Sequence, residues 1–239
     1  MKKEYSFKGK NLRFEGEEIE PSIRTFGQMR PVLAFPEKEK GSGLSDDTPL
    51  YYMYRKVLSF GVIRYDITRV ASANLCGERN KTFGHSHPVA DSGVAWPEIY
   101  EVLEGEAHFI IQKADGAKVS ETRFLTAKKG DCFLIPPGFG HVSINPGKKD
   151  LVLANLVSGE FESDYRMYEK LRGTCYYETT KGEIVKNPRY EGQNALEKGN
   201  ASEFSAQFEC FAPFDGANLL EAAKDYKNLL FLEKPETFR

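Results

Sequence analysis

Long apolar runs are missing from this chain. No stretch approaches the ~18 consecutive apolar residues of a membrane-spanning helix. Lys2 and Lys3 near the start are followed by no apolar segment of the kind that opens a secretory leader. A cytoplasmic location with no membrane partner is therefore expected. Excess charge of one sign is missing too: 33 basic and 35 acidic residues leave a formal charge of -2, so no global field draws the protein to nucleic acid or anionic lipid. Any anionic ligand has to be held by local groups. Cysteine is sparse, and Cys76, Cys132, Cys175 and Cys210 lie far apart without a C-x-x-C pair. That excludes a disulfide-stapled scaffold and predicts reduced, mostly buried thiols. Internal repeats and low-complexity tracts are also absent.

What is present suits one large domain with extensions: 239 residues, of which 40% are hydrophobic and 28% charged. From about Tyr51 to Tyr190 the pattern is one of short strands separated by turns. Tyr65–Leu75, Glu98–Leu103, Ala107–Gln112, Val119–Leu125, Cys132–Ile135 and Leu151–Val157 are the strand candidates. Their regular spacing predicts an all-β sandwich or barrel. Residues 1–50 are more polar and read as an extension packing on that body, with a mobile loop expected over the charged, Gly- and Pro-containing run 35–43. In residues 191–239, Leu219, Leu220, Ala223, Tyr226, Leu229 and Leu230 recur at three- and four-residue spacings, predicting an amphipathic helix that begins near Asp215.

Histidine is scarce, and three of the four residues fall in two short segments. In Thr82-Phe83-Gly84-His85-Ser86-His87 alternate strand residues face one side, so His85 and His87 can present two imidazoles together. An H-x-H pair alone also occurs on solvated strands. In the second segment, Gly130 and Asp131 turn into an apolar strand, and Pro136-Pro137-Gly138 turns the chain again so that His141 opens the next. Imidazoles placed in this way are candidate ligands for a divalent transition metal.

Gly130, Pro136, Gly138, His141 and Asn145 fit G-x5-P-x-G-x2-H-x3-N, which resembles the second motif of the cupin superfamily; His85, His87, Glu98 and Gly105 resemble the first. Ten residues separate His87 from Glu98, more than in most cupins. With Glu98-Ile99-Tyr100-Glu101-Val102-Leu103, Gln112, Ala154-Asn155-Leu156-Val157, Asp164-Tyr165, Gly173, Tyr176-Tyr177 and Asn187-Pro188-Arg189-Tyr190, the chain is similar to the cupin-type glucose-6-phosphate isomerases over about residues 51–190. The resemblance implies a cupin (jelly-roll, double-stranded β-helix) barrel over 51–190. It implies one divalent ion per subunit on His85, His87, Glu98 and His141, with Fe2+ expected first and Mn2+, Zn2+ or Ni2+ also suited.

It further implies a homodimer acting on a small sugar phosphate, with no nucleic-acid partner, and interconversion of glucose 6-phosphate and fructose 6-phosphate. The cation would stabilise an enediolate, with Glu98 in proton transfer, or assist a hydride shift. Tyr100, two residues on from Glu98, is expected to orient a sugar oxygen or simply to pack in the barrel. Thr68, Thr82, Gly84 and Tyr165 match positions that line the substrate site, where hydroxyls and a backbone N–H can hold phosphate. The chain departs from the pattern at Val157, where a tyrosine is usual, and at Ser163, where a histidine is usual. These departures keep other readings open: an isomerase or epimerase for another sugar such as mannose 6-phosphate, a sugar-binding cupin without turnover, or a metal-dependent oxygenase. Outside the motifs, His108 reads as a surface or packing residue, and Trp96 as a lid or an anchoring aromatic.

Overall fold

The computed structural model describes residues 5–192 and 196–239. Its centre is a pair of facing β-sheets. The larger has the strand order Cys132–Ile135, Glu98–Glu104, Leu151–Ser158, Ile63–Val70, Pro49–Phe60 and Ser22–Thr25, every neighbouring pair antiparallel. The smaller runs Gly140–Ile144, Glu106–Asp115, Lys118–Lys128 and Glu197–Asn200, the last pairing in parallel. Among the described residues no continuous ladder joins the two, so the architecture is a jelly-roll sandwich with open seams rather than a continuously bonded barrel.

Period-two alternation decides what each strand face meets. Tyr100, Val102, Leu151, Leu153 and Val70 of the larger sheet meet Phe109, Ile111, Leu125 and Ala127 of the smaller one in the inner core. The opposite face of the larger sheet carries Tyr54, Tyr65, Ile67, Ile99, Leu134, Ala154 and Leu156. Two extensions cover it. A three-stranded N-terminal sheet, Tyr5–Lys8, Asn11–Phe14 and Glu17–Ile19, contributes Leu12 and Phe14; the C-terminal segment contributes Phe211, Phe214, Leu219, Leu229, Phe231 and Leu232. Both faces of this sheet are thus largely covered, and its strand Leu151–Ser158 is apolar except at Asn155 and Ser158.

Two expectations are corrected. The continuous helix from Asp215 is instead a chain of short turns: Leu219–Ala222, Tyr226–Leu229 and Leu230–Glu233. The apolar spacing is real, but Asn218 and Asp225 each turn a side-chain oxygen onto a following backbone N–H, restarting the helix instead of continuing it. The run 35–43 is not a bare loop either. Pro36–Gly41 forms a 3-10 helix, and Glu39 accepts a hydrogen bond from Arg30 at 2.7 Å.

Candidate active site

The two histidine segments are joined through their backbones. His85 N donates to His141 O at 3.1 Å and His141 N to His85 O at 2.9 Å, while Thr82 N donates to Ser143 O at 2.8 Å. This antiparallel bridge sets residues far apart in the chain side by side. Asn145 finishes the corner beyond them, its amide donating to the carbonyls of Val70 and Lys149, each at 2.9 Å. The long interval between His87 and Glu98 folds back on itself. Val89 bridges Ala95, and Trp96 N donates to Pro88 O at 3.2 Å. The ten intervening residues form a small hairpin, and the approach of His87 to Glu98 is kept.

Two glycines hold this geometry open. Gly84 adopts φ +84, which L side chains avoid, and a Cβ there would sit 2.6 Å from Tyr168 Cδ1; a Cβ on Gly140 would collide with the Tyr168 hydroxyl. The Tyr168 ring thus fills the space behind both histidine segments.

The side chains converge. Glu98 Oε2 lies 3.3 Å from His141 Nε2, 3.4 Å from His87 Nε2 and 4.0 Å from His85 Nε2. The ligand atoms of His85, Glu98 and His141 all fall within 4.8 Å of one another, and the Nε2 atoms of His85 and His87 are 3.1 Å apart. Glu98, His87 and His141 are buried. Asn155 donates to Glu98 Oε1 at 2.7 Å, whereas Oε2 makes no hydrogen bond among the described residues. His87 Nδ1 lies 2.9 Å from the Trp96 carbonyl, an acceptor, so the proton sits on Nδ1 and the Nε2 lone pair faces the cluster.

Electrostatics favour neutral rings at His85 and His141 beside an ionised Glu98. Burial, then the neighbouring His141 and His87, hold the His85 imidazolium well below its ordinary pKa. Burial also lowers His141, against the pull of Glu98. For Glu98 burial alone would act upward, but the His141 and His87 rings beside it hold its carboxyl well below the usual range. An orphaned, buried carboxylate oxygen facing imidazole nitrogens is a donor set that can hold a divalent cation.

Most of the candidate metal and substrate residues line one cleft: His85, His87, Glu98, Tyr100, Thr68, Thr82, Gly84 and Tyr165, together with Val157 and Ser163. His141 adjoins it, with Nε2 3.0 Å from the Tyr100 hydroxyl. Burial, then Glu98, raises Tyr100 well above its ordinary pKa, so the hydroxyl stays protonated. The cleft is narrow, with about 40 Å³ of free volume. Trp96 stacks on Phe161 at 5.6 Å, and Phe161 meets the His87 ring at 4.6 Å, so aromatic surface covers this side of the cluster.

His108 lies outside the cleft, 2.8 Å from Glu178 Oε2; it has a hydrogen-bond partner in addition to its packing on Phe124. The sequence reading missed Tyr51, Arg55, Arg64 and Asn155 as lining residues. Asn155 stood in a quoted motif, and strand alternation with register opposite Tyr100 would have placed it. The arginines carry no local signal.

A model of the family described as glucose-6-phosphate isomerase matches residues 23–194. A glucose-6-phosphate isomerase from Thermococcus litoralis is 25% identical over 162 residues, covering 66% of this chain and 81% of the relative. Among solved structures, an oxalate decarboxylase from Lactobacillus farciminis, in complex with formate, is 19% identical at a TM-score of 0.37, over 48% of this chain and 30% of that one. A cupin-2 domain protein from Shewanella frigidimarina is 16% identical at a TM-score of 0.30, over 44% of this chain and 78% of that one. The family model reaches from the edge strand at Ser22–Thr25 past the last cleft-lining residue, Tyr165. The chain therefore belongs to the cupin-type glucose-6-phosphate isomerase family.

Proposed function

We propose that the protein is a metal-dependent ketol isomerase interconverting glucose 6-phosphate and fructose 6-phosphate, with one divalent ion per subunit on His85, His87, Glu98 and His141. The observation that carries this reading is Glu98 Oε2, buried, without a hydrogen bond among the described residues, and facing three imidazole nitrogens. Such an oxygen costs several kcal/mol unless a positive charge meets it. Three imidazoles and one carboxylate suit Fe2+ and also accept Mn2+, Zn2+ or Ni2+. When bound, the ion would supply Lewis-acid stabilisation of the charge that develops on the oxygens at C1 and C2.

The chain's own groups do the rest. In the aldose-to-ketose direction Glu98 takes the proton from C2 and returns it at C1, while the hydroxyl proton at O2 passes to O1; no atom is gained or lost. Tyr100 donates its hydroxyl proton to a substrate oxygen and orients it. Asn155 holds Oε1 and so keeps Oε2 turned toward the histidines. Thr68, Thr82, Gly84 and Tyr165 contact the phosphate end, and Trp96 with Phe161 limits water. A hydride shift from C2 to C1 is the competing chemistry. The two differ in isotope content: turnover in deuterium oxide places deuterium at C1 of fructose 6-phosphate if Glu98 carries the proton, and none if hydrogen moves as hydride.

A second reading, a different phosphorylated sugar, is favoured by Val157 and Ser163, both lining the cleft with short side chains. A coupled assay on fructose 6-phosphate and mannose 6-phosphate, after chelation and after repletion with Fe2+ or Mn2+, tests both readings. Activity lost with the metal, restored by it and abolished in Glu98→Gln is the expected result. Metal binding without turnover of any sugar phosphate would instead mark a binding protein, and full activity in metal-free protein would overturn the proposal. A cytoplasmic homodimer belongs to the same reading. Sedimentation at the mass of one 27.0 kDa chain would contradict the dimer.

A further inference from the structure

A second concavity, sharing no lining residue with the cleft, lies between the strands Glu106–Asp115 and Lys118–Lys128 and the C-terminal segment. It holds about 360 Å³ of free volume, against about 40 Å³ in the cleft, and that is within the usual range for small-molecule sites. Its floor is apolar. Pro136, Pro137 and Phe139 come from the turn that precedes His141, and Phe204, Phe208 and Phe238 from the C-terminal segment. Phe139 and Phe204 are buried, and the rings of Phe139, Phe204, Phe208 and Phe238 follow one another at centroid spacings of 6.3, 5.7 and 5.2 Å. The match to the isomerase family ends at residue 194, so one wall of this pocket is built from chain beyond the matched region. The proposed isomerase chemistry makes no use of it.

The rim is polar, and its charges are unequally engaged. Arg123 Nε and Nη2 donate to Glu121 Oε1 at 3.0 and 2.9 Å, and Nη1 pairs with Glu197. That guanidinium has two carboxylates. Lys113 has a share of one: its Nζ lies 3.6 Å from Glu121 Oε2, makes no hydrogen bond among the described residues, and sits 4.5 Å from the centre of the Phe139 ring. An ammonium carries three donors, so Lys113 keeps donors for a guest. Glu236, the other carboxylate of the rim, is exposed on the terminal turn Pro235–Thr237, where water screens it. Aromatic rings beside an ammonium with unused donors suit a planar ring that carries one carboxylate. An extended peptide fits less well, because the adjoining strand edge is closed. Ser205 Oγ accepts from Leu134 N at 2.8 Å, and Ser202 Oγ donates to Cys132 O at 3.0 Å, which leaves no free ladder there for strand addition.

We propose that this pocket is a second ligand site, taking a small aromatic carboxylate whose ring lies on the phenylalanines and whose anionic group meets Lys113. The site stands or falls independently of the proposed reaction.

The test is calorimetry on the full chain with three probes of one shape: 3-phenylpropionate, its neutral amide 3-phenylpropanamide, and the cation 3-phenylpropylammonium. The acid should bind at one site, the amide about 3–10-fold more weakly, and the cation more weakly still; that interval lies between an exposed ion pair and a hydrogen bond to a charged group. Lys113→Met keeps the stem over Phe139 and removes the charge. It should bring the acid down to the affinity of the amide and leave the amide unchanged, and Lys113→Arg should restore most of the difference. Gln207 is an exposed rim residue, so Gln207→Trp should fill the pocket, abolish binding of acid and amide alike, and leave the thermal midpoint close to that of the wild type. A wild type that binds none of the probes overturns the inference. So does acid binding that survives unchanged in both Lys113→Met and Gln207→Trp, which would put the guest elsewhere, and so does a cation that binds more tightly than the acid. Self-association of the wild type in sedimentation that Gln207→Trp abolishes, with no probe bound, would show that a second copy covers the pocket and would equally overturn it.

Discussion

Asn155→Leu isolates the support of Glu98 from Glu98 itself. The two side chains are buried and joined by one 2.7 Å hydrogen bond to Oε1. Leucine keeps the volume and removes the donor, leaving the carboxylate with no hydrogen bond on Oε1 and freeing it to rotate away from the rings. A hydrogen bond to a charged group is worth about 1.5–3 kcal/mol. At 1.4 kcal/mol per decade that is roughly 10–100-fold in affinity for a divalent ion, the usual scale for a residue that orients a metal ligand. The same loss in metal-free protein lowers Tm by about 3–10 °C for a domain of this size. Competition between the protein and a chromophoric chelator measures the first, and calorimetry the second. An unchanged ion affinity together with kcat/KM within twofold of the wild type would refute the idea that Asn155 aims Oε2 at the histidines.

Two further outcomes follow from packing. Gly84→Ala should destabilise the protein by about 2–5 kcal/mol in urea unfolding, from about 1–2 for positive φ and about 1–3 for overpacking against Tyr168; combining it with Tyr168→Leu should return at least about 1 kcal/mol. Wild-type stability in Gly84→Ala would contradict the cradle. Burial pushes the Cys175 and Cys210 thiols up to about 11, so under roughly 1% of either is thiolate at pH 8, and it raises Cys76 and Cys132 as well. A disulfide-exchange reagent should then label native protein far more slowly than unfolded protein, and equal rates would show that the thiols are not protected.

The legible parts of the fold were those where a local rule coincided with the tertiary outcome. Cys132–Ile135 was read to the residue because Gly130-Asp131 and Pro136-Pro137 bound it on both sides. The strand Glu106–Asp115 extends beyond the expected Ala107–Gln112 because it pairs on both sides and ladder bonds carry the ends. The run Tyr65–Leu75 divides into Ile63–Val70 and Asn74–Leu75, a break that β propensity does not encode. The C-terminal helix failed for a reason visible only in hindsight: Asn218 and Asp225 interrupt a sound apolar period. In the cleft, the metal-type residues were legible because glycine and proline turns accompany them. Asn155, Arg55 and Arg64 were not, since their places there depend on which strands are neighbours.

The strand Glu98–Glu104 shows why chemistry and stability are separable here. Glu98 and Tyr100 face the cleft, while the buried Glu101 faces the opposite way. There its carboxylate accepts from Asn218 Nδ2 at 2.8 Å and from Leu219 N at 2.9 Å, tying the C-terminal segment to the outside of the sheet. Because successive side chains point to opposite faces, a one-residue slip in this strand would exchange Glu98 for Ile99 in the cleft and remove the anchor of the C-terminal segment at once. The register is held by Ile135 opposite Glu98 on one side and Val157 opposite it on the other. The pairing that places the carboxylate among the histidines is therefore the same pairing that fastens the covering segment. Any substitution that loosens that segment without shifting register should cost stability and leave the cleft geometry as it is.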